Sequence, residues 1–219
     1  MNTALLIAFK LLLCYLLGSL SGSLLIGRWR GIDLRRLGSG NAGGTNAFRT
    51  QGFAFALAVV LIDLSKGALA VLVGRYAIAE DPAALQLGLL GLLAATAGHI
   101  WPVFFGFRGG KGAATLAGGL LLLAPMFLLG PIVVWILTLL LSGYVSLATV
   151  LTGLSLLPCS LWLASPVLRP TWALASIGIA FLLLYTHREN LGRLRAGCEY
   201  RFEGARLFHR FARRARRQS

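Results

Sequence analysis

Apolar segments long enough to cross a lipid bilayer recur along almost the whole of this chain. Hydrophobic residues make up 57% of its 219 residues and only 13% are charged, against roughly 25% in a soluble domain. A helix needs about 20 predominantly apolar residues to span a bilayer, and successive runs approach that length. We therefore predict an all-α, polytopic membrane protein in which residues 1–219 form one integral membrane domain.

The apolar runs divide into seven predicted transmembrane helices. The run that begins at Ala113 is too long for one ordinary helix and is interrupted at Pro125 and at Gly130-Pro131. A Gly-Pro step favours a turn, so we predict two short spans joined there. If this region dips into the bilayer without crossing, five spans remain. The seven predicted spans are residues 5–27, 52–76, 83–105, 113–128, 131–145, 147–164 and 171–186.

The basic residues predict how these helices are oriented. With the N-terminus outside, 17 of the 21 Lys and Arg residues fall on the cytoplasmic side, against Arg75 and Arg169 outside. The C-terminus, with a basic tail at about residues 200–219, is then cytoplasmic. The net charge of +14 reflects orientation and contact with anionic lipid, so no nucleic-acid partner is expected. Interpreting the first segment as a signal peptide would place the following arginine-rich loop outside, against the same rule.

One predicted cytoplasmic loop has a composition that strands and soluble helices rarely show. Residues 37–49, LGSGNAGGTNAFR, place four glycines among small hydroxyl and amide side chains and end at Arg49. Glycine permits positive φ and close backbone approach, so successive N–H groups can turn toward an anion. The guanidinium of Arg49 adds a permanent charge suited to phosphate. The segment predicts a phosphate-binding loop at the membrane surface.

A second glycine-rich segment carries a cation and follows the third predicted span. Residues 109–112, GGKG, leave room for a second phosphate. The predicted topology brings both loops, the hydroxyls of Ser142 and Ser146, and residues 187–190 to the cytoplasmic face. No helical periodicity requires this convergence, which indicates one active site at that interface.

Two ionisable residues lie inside the second predicted span. Asp63 and Lys66 are three residues apart and therefore share a helical face. Charged groups within a span are costly and usually face a protein interior or a wet cavity. The spacing favours a mutually neutralising structural pair over a direct catalytic role, and His99 is likewise interpreted as structural.

Several familiar motifs fail in this context. Residues 38–43 match G-x-G-x-x-G, but a membrane span precedes them and no βαβ unit surrounds them. The segment ending at Lys111 lacks the first glycine and the Ser/Thr of a Walker A loop. The His and Cys spacing fits no zinc site, carboxylates are few, and no G-x-S-x-G elbow occurs. We expect neither a metal nor another cofactor.

Taken together, the motifs resemble the bacterial acyl-phosphate:glycerol-3-phosphate acyltransferase family. The resemblance rests, in order and spacing over nearly the whole chain, on GSGNAGGTN (38–46), GHIWPVFFGFRGGKG (98–112), SLAT (146–149) and HRENLGRLRAGCE (187–199). Asp63-x-x-Lys66-Gly67 also resembles the family. The chain departs from the family pattern at Gly44, where alanine is common, and at Thr149, where serine is common.

The resemblance implies a reaction and a location. A fatty acyl group would pass from acyl phosphate to the 1-hydroxyl of glycerol 3-phosphate, giving lysophosphatidic acid and phosphate in phospholipid biosynthesis. The enzyme would lie in the bacterial inner membrane, in contact with membrane lipid, with its active site on the cytoplasmic face. Whether the acyl-phosphate-synthesising enzyme is a partner stays open.

Matching the family motifs residue by residue implies a set of site residues. The catalytic residues would be Ser39, Arg49, Lys111, His187 and Asn190. The substrate-binding residues would be Gly40, Asn41, Gly43, Thr45, Asn46, Gly109, Gly110, Gly112, Ser142 and Ser146. The glycine loop, with Asn41, Thr45 and Asn46, would hold the acyl-phosphate head. The residues lining the glycerol-phosphate and reaction site would be Ser39, Arg49, Lys111, Ser146, His187 and Asn190. Either His187 or the substrate's own phosphate would take the proton, and we favour a positioning role for His187.

The alternative function is a transporter or flippase for a phosphorylated solute or lipid. Such a protein needs access from both sides, typically through repeats and helices broken near the midplane. The sequence shows no internal repeat, and its polar groups gather at one predicted interface. An enzyme is therefore favoured.

Overall fold

The computed structural model of the chain describes residues 3–75 and 83–202. Within these ranges the regular structure consists of ten α-helices and two short 3₁₀ turns. The chain divides into two compact units, Met1–Pro125 and Met126–Ser219. The predicted outside turn at residues 76–82 and most of the predicted basic tail lie outside the described residues.

The first unit packs its helices through small residues. A Cβ on Gly18 would overlap the backbone of Ala95, and Cys14, Ala70 and Ala95 form a fully buried cluster. Backbones that approach this closely are typical of membrane helix interfaces. The unit's helices are α1 (Thr3–Ser19), α2 (Gly22–Trp29), α3 (Gly44–Gln51), α4 (Phe53–Arg75), α5 (Ala83–Ile100) and α6 (Ala113–Leu123), with 3₁₀ turns at Leu34–Arg36 and Val103–Phe105.

The first predicted span is broken where the sequence predicts a continuous helix. α1 and α2 are bent by 48° relative to each other at Leu20 and Ser21. Ser19, Ser21 and Ser23 around the bend are fully buried. The small residues therefore do more than allow close packing, because they also permit a break inside a membrane helix.

The second unit contains four helices, and its first one corrects a predicted boundary. The turn expected at Gly130-Pro131 is absent from the described residues, since α7 runs through Pro131 without interruption. The break lies at Ala124, whose backbone (φ −156°, ψ 75°) is not helical before Pro125. A proline disfavours helical geometry in the residue before it and is well placed at a helix start. The helices are α7 (Pro125–Ser142), α8 (Val145–Leu163), α9 (Arg169–Thr186) and α10 (Arg188–Arg195).

Length and composition identify four to six candidate spans among the described residues. Phe53–Arg75, Ala83–Phe105, Pro125–Ser142 and Val145–Leu163 each qualify alone, and the bent pairs α1–α2 and α9–α10 qualify as broken spans. α6 has 11 residues, so it reaches only about 16 Å of a hydrocarbon core about 30 Å thick. Seven complete spans and the orientation of the termini stay predictions.

Candidate active site

The first glycine-rich segment folds partly as a loop and partly as a helix. Loop one, which we define as residues 37–43, turns at Gly38 (φ 55°) and Gly40 (φ 73°), where L side chains are disfavoured. Thr45 and Arg49, which the sequence places in the same segment, lie on α3. Residues 36–40 are exposed, so loop one is accessible to a ligand.

The buried amide of Asn46 holds loop one in shape. Its Nδ2 donates to the carbonyls of Leu34 (3.1 Å), Leu37 (2.9 Å) and Asn41 (3.0 Å). Its Oδ1 accepts from the backbone N–H of Ser39 at 2.9 Å. Loop one itself thus occupies the amide of Asn46, which the sequence assigned to the acyl-phosphate head. A substrate would have to displace these bonds to bind it.

The second glycine-rich segment is hydrogen-bonded to the end of α5. Loop two, defined as residues 106–112, donates from the N–H of Gly109 to the carbonyl of Ile100 (3.0 Å) and from Gly110 to that of His99 (3.1 Å). Gly106 and Gly112 have positive φ at its two ends. The side chain of Lys111 is half-buried there.

Loops one and two meet at Gly110. A Cβ on this residue would overlap Nε2 of the His99 ring and would lie 3.0 Å from the carbonyl oxygen of Ala42 in loop one. No larger residue fits without displacing one of the two. The sequence predicted both loops, and the structure of this unit brings them into contact.

Arg35, in the 3₁₀ turn just before loop one, binds the chain at the start of loop two. Its Nη1 donates to the carbonyls of Phe105 (2.7 Å) and Arg108 (3.2 Å), while Nε and Nη2 bind the Asp33 carboxylate. The hydrogen bond from Arg35 lowers the pKa of Asp33, and the carboxylate raises the pKa of Arg35. Sequence reasoning used Arg35 for orientation only, because the carbonyls that it binds lie 70 residues or more along the chain.

In the second unit, polar side chains converge on the carboxylate of Glu199. Oε1 accepts from Ser146 Oγ (2.9 Å) and Asn190 Nδ2 (2.6 Å), and Oε2 accepts from Arg193 Nε (2.9 Å). Burial raises the pKa of Glu199, but the hydrogen bonds from Asn190, Ser146 and Arg193 outweigh burial and hold it below its ordinary value. We call Ser146, Asn190, Arg193 and Glu199 the carboxylate cluster.

Sequence reasoning found two members of this cluster and missed the other two. Ser146 and Asn190 were predicted site residues, whereas Arg193 and Glu199 were not. A signal was present, because Asn190 and Arg193 are three residues apart on α10 and share a face. The carboxylate of Glu199, in the same arginine-rich segment, would have completed the pattern.

His187 lies at the bend between α9 and α10. The two helices are bent by 59°, so the straight continuation that would have aligned His187 with Asn190 does not occur. The Nδ1 of His187 is 2.9 Å from the Leu183 carbonyl. A carbonyl can only accept, so Nδ1 carries the proton and the neutral ring keeps its proton-accepting lone pair on Nε2. The side chain is buried, at 5% exposure.

Ser142 closes the end of α7. Its Oγ donates to the Thr138 carbonyl at 2.6 Å and accepts from the N–H of Tyr144 at 3.1 Å. Its carbonyl accepts from Arg201 Nε at 2.9 Å. These bonds give the predicted substrate-binding hydroxyl a local structural use.

Comparisons with known proteins agree over most of the chain. A model of the glycerol-3-phosphate acyltransferase family matches residues 8–197. A protein named glycerol-3-phosphate acyltransferase from Thermus thermophilus is 43% identical over 194 residues, 88% of this chain and 94% of the relative. One of the same name from Aquifex aeolicus is 37% identical over 195 residues, 89% of this chain and 98% of the relative.

Two solved structures share the fold. Both are crystal structures of PlsY, described as an integral membrane glycerol 3-phosphate acyltransferase. The glycerol 3-phosphate form has a TM-score of 0.79 and 35% identity, covering 90% of this chain and 95% of that chain. The lysophosphatidic acid form has a TM-score of 0.77 and 34% identity, covering 89% and 94%. The predicted all-helical, integral membrane class is thereby confirmed.

Proposed function

The chain belongs to the glycerol-3-phosphate acyltransferase family, and from this we propose that it transfers a fatty acyl group from acyl phosphate to the 1-hydroxyl of glycerol 3-phosphate. The products are lysophosphatidic acid and inorganic phosphate. The observation that carries the proposal is the contact between loops one and two at Gly110 and Ala42, which packs together two glycine-rich segments suited to phosphate.

Acyl phosphate suits a site of this kind because it is already activated. Phosphate is its leaving group, so the acyl group can pass directly to the hydroxyl without a covalent enzyme intermediate. The protein must then bring two anions together, aim the hydroxyl at the acyl carbon and stabilise the developing oxyanion. Backbone N–H groups can supply the last function, and fixed cations reduce the repulsion between the phosphates.

The residues of the first unit take the phosphates. Loop one and the start of α3 receive the acyl-phosphate head, since the first turn of a helix presents N–H groups and a positive dipole end to an anion. Lys111 on loop two receives the phosphate of glycerol 3-phosphate. Arg49, near the end of α3, adds charge to the site.

The residues of the second unit position glycerol 3-phosphate for the reaction. Because its Nδ1–H is held by a carbonyl, neutral His187 presents an acceptor at Nε2, and it positions glycerol 3-phosphate by accepting a hydrogen bond from the hydroxyl that does not react. The proton of the reacting 1-hydroxyl is thus left for another acceptor. The phosphate of the substrate then takes the proton. Ser146 and Asn190 are held by Glu199, which orders both side chains in the unit.

The proposed setting is the bacterial inner membrane. Seven spans, with α6 as a short one, place the N-terminus outside and the C-terminus and the active site in the cytoplasm. The donor comes from an acyl-phosphate-synthesising enzyme on the same side. In a chain freed of its native cysteines, a cysteine at Gly31 should be shielded from an impermeant reagent in intact cells, and one at Ala83 should react. The reverse pattern would overturn this orientation.

Purified protein in detergent tests the function directly. Given acyl phosphate and glycerol 3-phosphate, it should form lysophosphatidic acid, whereas acyl-CoA should not replace the donor. A transporter or flippase needs two compartments, so product formation in detergent separates the two functions. Absence of product from folded protein with either donor would overturn the enzymatic assignment.

A further inference from the structure

Three charged or titratable side chains in the first unit are buried within the spans, where the proposed reaction does not use them directly. Lys66 Nζ lies 2.9 Å from Asp63 Oδ1 and 2.7 Å from His99 Nδ1, and Asp63 Oδ1 lies 3.4 Å from the same His99 nitrogen. Each side chain is at most 4% exposed. Burying an ion pair is costly, and replacing one by apolar residues is often neutral or stabilising. Its presence therefore calls for a specific use.

The ion pair matches the ends of the broken first span. Lys66 Nζ donates to the carbonyls of Gly18 (2.9 Å) and Leu20 (3.3 Å) at the end of α1. Asp63 Oδ1 accepts from the N–H of Gly22 (3.4 Å) at the start of α2. A helix is negative at its C-terminal end and positive at its N-terminal end. The Lys66 cation therefore stabilises the end of α1, and the Asp63 anion stabilises the start of α2. The pair thus fixes the bend.

From the bend, a hydrogen bond reaches loop one. Ser23, which follows Gly22 on α2, donates from Oγ to the carbonyl of Ala42 at 3.0 Å, and its side chain is fully buried. Ala42 is the residue of loop one that lies against Gly110. The position of α2 therefore determines where this part of loop one lies.

From the other end of the cluster, His99 reaches loop two. An ammonium group only donates, so the 2.7 Å contact from Lys66 requires Nδ1 of His99 to accept and places the ring proton on Nε2. That nitrogen faces Gly110, which has no room for a Cβ beside it. The orientation of the ring thus sets how closely loop two approaches loop one.

We propose that Asp63, Lys66 and His99 are positioning residues for acyl transfer, which hold loops one and two in register through two separate sets of contacts. The Ser23 arm is the contact of the ion pair with the bend and the hydrogen bond from Ser23 to Ala42. The His99 arm is the contact of Lys66 with His99 and of the His99 ring with Gly110. The Ser23 arm acts on loop one and the His99 arm acts on loop two. The inference rests on the proposed function, in which loop one holds acyl phosphate and loop two holds glycerol 3-phosphate. Each arm then governs the binding of one substrate.

The test compares two single-arm variants. His99→Asn keeps an acceptor near the Nδ1 position but removes the ring edge that faces Gly110. Ser23→Ala removes the hydrogen bond to Ala42. Cys14→Ala is the control, because it removes a buried contact to the Ala70 carbonyl between the same helices α1 and α4 without touching the cluster. KM for each substrate, kcat and thermal unfolding are measured on purified protein.

Each arm should affect one substrate. His99→Asn should raise KM for glycerol 3-phosphate about tenfold, since a displacement near 1 Å can cost up to about 10²-fold. Ser23→Ala should raise KM for acyl phosphate by about three- to tenfold, the effect of one lost hydrogen bond. The other KM should change by less than about twofold in each case. Cys14→Ala should lower thermal stability and leave both KM values unchanged.

Asp63→Asn acts on both arms and should raise both KM values together. If Asp63→Asn fails to insert or fold, the two single-arm variants still decide the question. Equal changes of both KM values in either single-arm variant, or a fall in kcat alone together with lower thermal stability, would overturn the inference. Activity of the parent protein is measured in the same series, so a parent that makes no lysophosphatidic acid would instead refute the proposed function.

Discussion

The two units hold two groups of candidate site residues, and the groups are built from different kinds of atoms. In Met1–Pro125 the site is mainly backbone, and loops one and two are shaped by glycines and by the buried amide of Asn46. In Met126–Ser219 it consists of side chains, of which Ser146, Asn190 and Arg193 converge on the carboxylate of Glu199.

This difference determines what each part tolerates. A backbone site has no side chain to lose, but added atoms disturb it, because its glycines lie against other backbone groups. A side-chain cluster can absorb a change of shape, but it depends on the charge at its centre. In the glycine backbone of the loops the damaging variants should therefore be steric, whereas in the carboxylate cluster they should be changes of charge.

Gly110→Ala should have the largest effect. The added Cβ would overlap the His99 ring and press on the Ala42 carbonyl, so loops one and two would separate. We expect kcat/KM to fall by at least about 10²-fold, the cost of a displacement near 1 Å. Gly178→Ala on α9 is the matched control, since nothing lies within 4 Å of its Cβ position. Lysophosphatidic acid formation by folded protein is measured, and a loss below about threefold for Gly110→Ala would contradict tight contact between the loops.

Lys111→Ala should cause the second-largest loss of activity, because it removes the charge that the backbone of loop two cannot supply. A partly desolvated pair between a cation and a phosphate is worth roughly 2–5 kcal/mol. Activity at subsaturating glycerol 3-phosphate should fall more than tenfold, and Arg49→Ala should behave similarly. Arg36→Ala removes an exposed charge beside loop one and serves as the control. Near-normal turnover of either Lys111→Ala or Arg49→Ala would remove that residue from the site.

Apolar patterning was enough to predict most of the fold, because a membrane helix must satisfy its backbone internally and is therefore recognisable by its length. Helix breaks were harder to predict. The break at Leu20 depends on Lys66, whose ammonium group donates hydrogen bonds to carbonyls 46 and 48 residues away. The break expected at Gly130-Pro131 was wrong because Pro125 starts α7 instead.

The candidate site shows the same limit. Glycine content revealed loops one and two, since their conformations require glycine locally. It did not reveal that the Asn46 side chain hydrogen-bonds to the backbone of loop one, or that Glu199 accepts a hydrogen bond from Ser146, 53 residues away. These uses depend on tertiary contacts that no local pattern encodes. Sequence therefore predicted the backbone part of the site better than the side-chain part.

Glu199→Gln tests the charge at the centre of the carboxylate cluster. The pKa of folded Glu199 lies below its ordinary value of 4.5, so ionised Glu199 stabilises the fold above that pH. This contribution is lost as the pH falls through the lowered pKa. Thermal unfolding should therefore show the variant less stable than the parent at pH 7, with the difference shrinking below about pH 4.5.

The control for this prediction is Glu189→Gln, which changes an exposed carboxylate on α10, the helix that carries Asn190 and Arg193. Its difference from the parent should stay small across the same pH range. If Glu199→Gln matches the parent at pH 7, the three hydrogen bonds to Glu199 do not depend on its charge, and the contrast drawn between the two units fails.

His187→Gln should have the smallest effect, because His187 belongs to the side-chain part of the site but lies outside the carboxylate cluster. Its Nδ1–H is fixed on the Leu183 carbonyl, so the neutral ring acts through an acceptor at Nε2. Glutamine keeps an acceptor but cannot titrate, and one lost positioning bond costs about tenfold. If His187 only positions glycerol 3-phosphate, the variant should keep at least about a tenth of the parent kcat and the same pH profile. General-base catalysis contributes about 10²–10⁴-fold, so a loss beyond about a hundredfold with the acidic limb abolished would make His187 the base.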